Sequence, residues 1–151
     1  MKAREIMTPK PFVVTPTDNV CKAAELMRYE NIGGVPVVAD PDRPVLVGLI
    51  TDRDITTRCV ARGHHGLCFV GDIMTPTPLM TVLADADVSD IVSLMERAEV
   101  RRIPVVSDDG MLIGIVAEAD LAAKLSVGES LPLRKRVKQY AAEPHVGLNV
   151  R

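Results

Sequence analysis

The sequence predicts an α+β fold built from two βαββα units packed with pseudo-twofold symmetry, and three observations lead there. Glu5-Ile6-Met7-Thr8-Pro9-Lys10-Pro11 returns as Asp72-Ile73-Met74-Thr75-Pro76-Thr77-Pro78, 67 residues later. Val20, Ala24, Leu26 and Met27 return as Val88, Val92, Leu94 and Met95, and Pro36-Val37-Val38 as Pro104-Val105-Val106, both at an offset of 68. Gly48 and Asp54 return as Gly114 and Asp120 at 66, a drift that needs only small length changes in connecting loops. The turn-rich loop Asp40-Pro41-Asp42-Arg43-Pro44 is the place for two extra residues relative to Ser107-Asp108-Asp109-Gly110.

Each copy reads alike. Phe12-Val13-Val14 is a short extended piece before a helix start at Thr17-Asp18, where a side-chain oxygen caps free N–H groups. Val20, Ala23, Ala24 and Met27 recur at helical spacing, and Gly33-Gly34 breaks that helix. Residues 35–38 and 45–50 are β-branched runs around a Pro-rich turn, a hairpin by pattern. A second helix starts near Thr51 and runs towards Val60. Copy two gives a helix over 88–98, strands at 103–106 and 112–116, and a helix from Glu118. The organisation expected is therefore repeat one over 1–62, a linker at 63–69, repeat two over 70–127 and a tail over 128–151. In the tail, Arg134-Lys135-Arg136-Val137-Lys138 reads as the solvated face of a short helix that Pro144 stops.

Composition narrows the function. The 151 residues are 47% hydrophobic and only 3% aromatic, so the core is aliphatic and base-stacking platforms are not expected; Met27 and Met95 read as core filler. A formal net charge of -2 argues against a dedicated nucleic-acid binder. The chain has neither a membrane-length apolar run nor the apolar stretch of a signal peptide at its start. Three cysteines make no disulfide framework, and a reducing cytoplasm is the expected setting. No nucleophile–histidine motif, Walker loop or HExxH appears, so no enzyme is expected.

The Ile-Met-Thr-Pro openings, the Pro-Val-Val strands and the closing Gly48-Leu49-Ile50-Thr51-Asp52-Arg53-Asp54 together resemble the cystathionine-beta-synthase (CBS) domain in tandem, in its stand-alone bacterial form. The resemblance covers residues 4–125. It implies a cleft between the repeats with two pseudo-equivalent sites for adenosine-containing ligands: AMP, ADP, ATP or S-adenosylmethionine. In the family pattern Gly-hydrophobic-x-Thr/Ser-x-x-Asp, the Asp accepts from the ribose hydroxyls and the Thr or Ser donates to ribose or phosphate. This sequence holds that pattern once, as Gly48, Thr51 and Asp54; copy two keeps Gly114 and Asp120 but has Ala117 at the hydroxyl position. The resemblance also implies a disc-like homodimer and an effector protein that reads the signal.

Elementary chemistry fits those residues. An ionised carboxylate only accepts, which suits a vicinal diol; a helix N-terminus suits phosphate. Gly33-Gly34 before Val35-Pro36 lets a flat base approach the backbone, and Arg101-Arg102 before Ile103-Pro104 offers guanidinium forks for phosphate. Plain structural readings stand beside these. Thr51 and Asp54 also spell a capping box, Asp120 alone interacts with a helix dipole, and the arginines form surface ion pairs. Cys59, His64, His65 and Cys68 place four metal-capable groups within ten residues. Their spacing fits no finger pattern, Gly63 and Gly66 mark a connecting loop, and no metal is expected. The competing functions are a metal-binding or redox module on that segment, a ligand-independent interaction module, and DNA binding through the tail.

Overall fold

The structure is a computed structural model, and it describes residues 1–125 and 131–142. The chain forms two units, each with its own core. One comprises Pro11–Leu79 with Gly110–Leu112; the other comprises Met1–Lys10, Met80–Asp109 and the chain from Ile113. Each unit thus holds the helices and hairpin of one repeat and the opening segment of the other.

In the first-repeat unit, helix α2 (Val20–Glu30) buries Val20, Ala23 and Met27, while Ala24 faces solvent. Its cap differs from the expected Thr17-Asp18. Asn19 accepts from the Cys21 N–H at 2.8 Å, because Asp18 is already committed to the turn before the helix. The Asp18 carboxylate takes the Thr15 N–H at 2.8 Å and the Lys22 ammonium at 3.2 Å. Burial works against its charge, yet the Thr15 amide and Lys22 prevail and hold its pKa below the ordinary value. A depressed carboxylate stabilises the fold above its unfolded pKa and loses that contribution as pH falls through the folded one. Asp18→Ala is therefore expected to cost about 1–2 kcal/mol at neutral pH, with the gap to wild type closing in acid-unfolding series below about pH 4.

Helix α2 ends before the expected Gly33-Gly34 break. Asn31 closes it in the left-handed region (φ 52°), which asparagine tolerates. Strands β2 (Gly34–Asp40) and β3 (Arg43–Thr51) form the expected hairpin, with Gly34 opposite Thr51 and Val37 opposite Gly48. The chain then stays helical from Asp52 to Arg62, but not uniformly: one α turn, α3 (Asp52–Asp54), leads into a π turn (Ile55–Cys59) and a 3-10 turn (Val60–Arg62). Helix α4 (Val70–Ile73) and β4 (Thr75–Pro76), which open repeat two, complete this unit's sheet by pairing on β3, Pro76 opposite Gly48.

The second-repeat unit repeats the plan with the opening of repeat one. Helix α1 (Ala3–Ile6) and strand β1 (Thr8–Pro9) join β5 (Val82–Leu83), α5 (Val88–Ala98), β6 (Arg102–Val106), β7 (Leu112–Ala117) and α6 (Glu118–Lys124). The sheet order is β1-β7-β6-β5, and Pro9 lies opposite Gly114 as Pro76 lies opposite Gly48. The two glycines exist for this pairing. A Cβ on Gly48 would sit 2.6 Å from Met74 Sδ and 2.9 Å from the Thr75 carbonyl; on Gly114 it would sit 2.3 Å from Met7 Sδ and 3.1 Å from the Thr8 carbonyl. A methionine can swing away, but a paired carbonyl cannot. Gly48→Ala is expected to cost about 1–3 kcal/mol in denaturant unfolding, and more than Gly114→Ala.

Met95, with Ile91 and Ile103, fills the centre of this core, and Met27 packs in the other; Met80, by contrast, is exposed. The tail departs from expectation. Helix α7 (Leu131–Ala142) is no free solvated helix: Leu133 and Val137 are buried in the second-repeat core. Arg136 forks onto the Glu96 carboxylate and reaches Ser93 Oγ at 3.2 Å, and hydrogen bonding to Glu96 raises the guanidinium pKa further. A basic run hides two apolar residues four apart. Pro144 lies outside the described residues. Among the described residues no helix is long and apolar enough to cross a membrane.

Candidate functional site

The two copies of the closing motif are built alike up to one hydroxyl. In copy one, Thr51 ends β3 in extended conformation and caps α3: its Oγ1 accepts the Asp54 N–H at 3.1 Å. Asp54 returns the bond, Oδ2 accepting the Thr51 N–H at 2.9 Å. The box leaves unused chemistry. Thr51 Oγ1 is used as an acceptor and keeps its own hydrogen to donate, while Asp54 Oδ1 has only a long contact, 3.8 Å, to Arg58 Nε. Asp54 is one of two charged residues buried among those described. Arg58 is held in turn by the carbonyls of Ile73 and Met74 at 3.1 and 3.2 Å. The i,i+4 spacing of Asp54 and Arg58 was the signal that could have picked Arg58 out.

The glycine break sits beside this box. Gly34 is the cross-strand partner of Thr51, and the Gly33 carbonyl accepts the Asp52 N–H at 3.2 Å. Val35 and Pro36 are buried within β2, and the Pro36 carbonyl accepts the Val14 N–H at 3.1 Å. Some of the backbone expected to read a base edge is therefore engaged in the sheet, and the half-buried Gly33 is the more accessible part.

Copy two brings Arg101, Arg102, Ile103, Pro104 and Asp120 to the equivalent end of its hairpin. Arg102-Ile103-Pro104 open β6, Ile103 and Pro104 buried, and the Arg101 carbonyl accepts the Glu118 N–H at 2.9 Å. Asp120 does more than sit on a dipole. Its Oδ2 accepts the Ala117 N–H at 3.2 Å, so half of the box survives without the hydroxyl, because that half needs only a backbone donor. The second buried acid is Glu118, 3.5 Å from Arg101 Nε. Sequence reading passed over Glu118, although its offset from the exposed Asp52 is the 66 of the motif itself. Ala117 has the extended backbone that Thr51 has (φ -101°, ψ 152° against -115°, 163°). Ala117→Thr is accordingly expected to complete the box and stabilise the protein by about 0.5–2 kcal/mol, read as a rise in melting temperature.

The cysteine and histidine segment divides. Cys59, His64 and Cys68 converge, their ligand atoms all within 4.8 Å of one another, whereas His65 stays outside the group. Cys59 and Cys68 are buried, their sulfurs 2.8 Å apart; hydrogen bonding with Cys59, and then burial, push the Cys68 thiol up to about 11.

Comparison with known proteins agrees with this architecture. The CBS domain model matches residues 3–60 and 70–127, and the chain belongs to the CBS domain family. It is 37% identical over 127 residues to the CBS domain-containing protein YhcV of Bacillus subtilis, covering 84% of this chain and 87% of that one. It is 36% identical over 123 residues to Hypoxic response protein 1 of Mycobacterium tuberculosis, covering 82% and 84%. A crystal structure of Hypoxic Response Protein I with two coordinated zinc ions superposes with a TM-score of 0.71 at 35% identity, over 82% of this chain and 98% of that one. A crystal structure of CBSX2, an Arabidopsis thaliana protein, in complex with AMP gives 0.69 at 30% identity, over 82% and 95%. The chain is thus a tandem CBS protein similar to stand-alone CBS proteins, and no catalytic family is indicated.

Proposed function

We propose that this chain is a non-catalytic regulatory module that binds an adenine nucleotide, AMP, ADP or ATP or another adenosyl ligand, with no cofactor required for that binding. One observation carries the reading: the Thr51–Asp54 box holds a buried carboxylate oxygen and a hydroxyl hydrogen, both uncommitted to strong bonds, at the start of a helical segment. That pair complements a ribose diol next to a phosphate, acceptor for the two hydroxyls and donor for the oxyanion. AMP bound to CBSX2, a structural neighbour, supports the ligand class. Gly33, Gly34, Val35 and Pro36 flank the base position in copy one. Arg101, Arg102, Ile103, Pro104 and Asp120 form the counterpart in copy two.

The copies are not equal. With Ala117 in place of a hydroxyl and Arg101 drawn to Glu118, copy two has lost donors, so the Thr51/Asp54 site is the tighter one. Signalling follows from preferential binding: a nucleotide shifts the protein only towards the arrangement it binds better. At about 100 times its dissociation constant it adds about 2.7 kcal/mol to stability. The protein receiving that signal, a homodimeric state and a cytoplasmic setting belong to the same proposal. Exposed Phe12, Tyr29, Leu67 and Phe69 supply apolar surface for such contacts. Nucleic acid has no part in it, given the charge of -2 and a basic run partly spent on Glu96.

The test is a thermal-shift screen of nucleotide-free protein against AMP, ADP, ATP, NADH and S-adenosylmethionine, followed by calorimetry. A saturable shift with adenosyl compounds is the expected result. No shift with any of them would refute the reading in favour of a ligand-independent interaction module.

A further inference from the structure

The nucleotide reading leaves Cys59, His64 and Cys68 without a task, and their arrangement is difficult to explain as packing alone. Cys59 ends the π turn, and the chain then reverses through Gly63 (φ 75°), His65 (φ 50°) and Gly66 (φ 77°). The reversal is pinned to the first cysteine, the His64 N–H donating to the Cys59 carbonyl at 3.1 Å. It brings His64 Nδ1 to 3.2 Å from Cys68 Sγ, and Cys68 Sγ to 2.8 Å from Cys59 Sγ. Two sulfurs that close, with a ring nitrogen turned on them from an exposed loop, form a set of three soft or borderline donors around one point.

We propose that Cys59, His64 and Cys68 bind one Zn²⁺, with solvent in the fourth position. Tetrahedral zinc holds sulfur at about 2.3 Å and nitrogen at about 2.0–2.1 Å, so neighbouring donors stand about 3.5–3.8 Å apart. The observed separations of 2.8 Å, 3.2 Å and at most 4.8 Å straddle that value and need shifts of about 1 Å, within reach of side-chain rotation. Two thiolates and an imidazole favour zinc over the hard cations magnesium and calcium. Binding releases both thiol protons to solvent, and the two sulfurs and Nδ1 each donate a lone pair; no electron is transferred. The third thiol, Cys21, lies outside the set, directed at the Gly66 carbonyl 3.7 Å away. The metal would clamp the 63–67 reversal to the start of α2, where the Cys68 carbonyl already accepts the Val20 N–H at 2.9 Å.

The test uses the full, tag-free chain and does not involve nucleotide. Elemental analysis after dialysis is expected to find one zinc per chain. Cobalt(II) added to the metal-free protein is expected to give visible bands of tetrahedral geometry with thiolate charge transfer, releasing two protons per ion. Cys59→Ser and Cys68→Ser are each expected to lower affinity by at least about 100-fold, His64→Ala to lower it less, and Cys21→Ser to leave it unchanged. The wild-type cobalt spectrum is decisive even where a cysteine variant fails to fold. The proposal is overturned if the wild type binds neither metal while Cys59 and Cys68 titrate as free thiols. It is equally overturned by a Cys59–Cys68 disulfide in freshly reduced and re-exposed protein that takes up no metal, or by full metal binding in the Cys59→Ser/Cys68→Ser double variant.

Discussion

Asp54→Ala is expected to weaken adenine-nucleotide binding by about 10- to 100-fold, the loss for one buried charge-assisted contact to a ligand. The carboxylate has two separable roles. Oδ2 closes the box with the Thr51 N–H, a contribution to stability of about 1 kcal/mol. Oδ1, facing only the distant Arg58 guanidinium, is the oxygen offered to the ribose. Asp54→Asn separates them: the amide oxygen can still accept from Thr51, so stability should stay near wild type while nucleotide affinity falls. Thr51→Val should lose both the cap and the donor. The matching change in copy two, Asp120→Ala, is expected to cost less affinity, because that site already lacks the hydroxyl partner. Isothermal titration calorimetry on the single variants checks the ranking. Equal losses at Asp54 and Asp120 would contradict the proposed asymmetry of the two sites.

The second large effect concerns architecture. Ile6→Ala is expected to destabilise the protein by about 2–5 kcal/mol, the cost of emptying a fully buried isoleucine site. The loss should fall on the second-repeat unit, although Ile6 belongs to the first repeat in sequence. Helix α1 is tied there by Ala3 N–H to the Ala86 carbonyl at 2.9 Å and Arg4 N–H to the Ala84 carbonyl at 3.0 Å. Lys2 to Asp87 at 2.9 Å, an Arg4–Asp85 ion pair, and Lys124 Nζ to the Ile6 carbonyl at 2.8 Å add to it. Hydrogen exchange on Ile6→Ala should show lost protection over 88–106 before 34–51. The reverse order would contradict the exchange of opening segments. Ile73→Ala, its counterpart, should act on 34–51 instead.

Much of this could be read from the residues. The doubled Pro-Val-Val strands, the paired glycines and the helices at Val20 and Val88 follow from periodicity and repetition, and the structure places them as expected. What escaped is what depends on contacts distant in sequence. The repeated Ile-Met-Thr-Pro opening marks Ile6 and Ile73 as equivalent but not which hairpin each packs on; the Gly114–Pro9 and Gly48–Pro76 pairings, with the α1 contacts to 84–87, assign them. Asn19 displaced Thr17-Asp18 as the cap because Asp18 had a competing partner in Thr15. The π turn at 55–59 carries no sequence signature, since over five residues its wider period cannot be told from that of an α-helix. Leu133 and Val137 were masked by the basic residues around them, whose charges can sit at the surface while the apolar pair packs inward.

At the candidate site, the motif fixed Thr51, Asp54 and Asp120 by position, and the structure gives their hydrogen bonds. Spacing grouped four metal-capable residues; the reversal at Gly63 and Gly66 selected His64 and left His65 aside. A positive φ at His65 turns adjacent side chains in different directions, a distinction sequence spacing cannot make.

The most direct test of the central claim is calorimetric titration of AMP and ATP into nucleotide-free wild type and the Asp54→Ala/Asp120→Ala double variant, both verified as folded. The account predicts saturable binding to the wild type, tighter at one site than at a second, and near-complete loss in the double variant. Undiminished binding to the double variant would show that the nucleotide does not use these carboxylates, and the site proposed for it would be wrong.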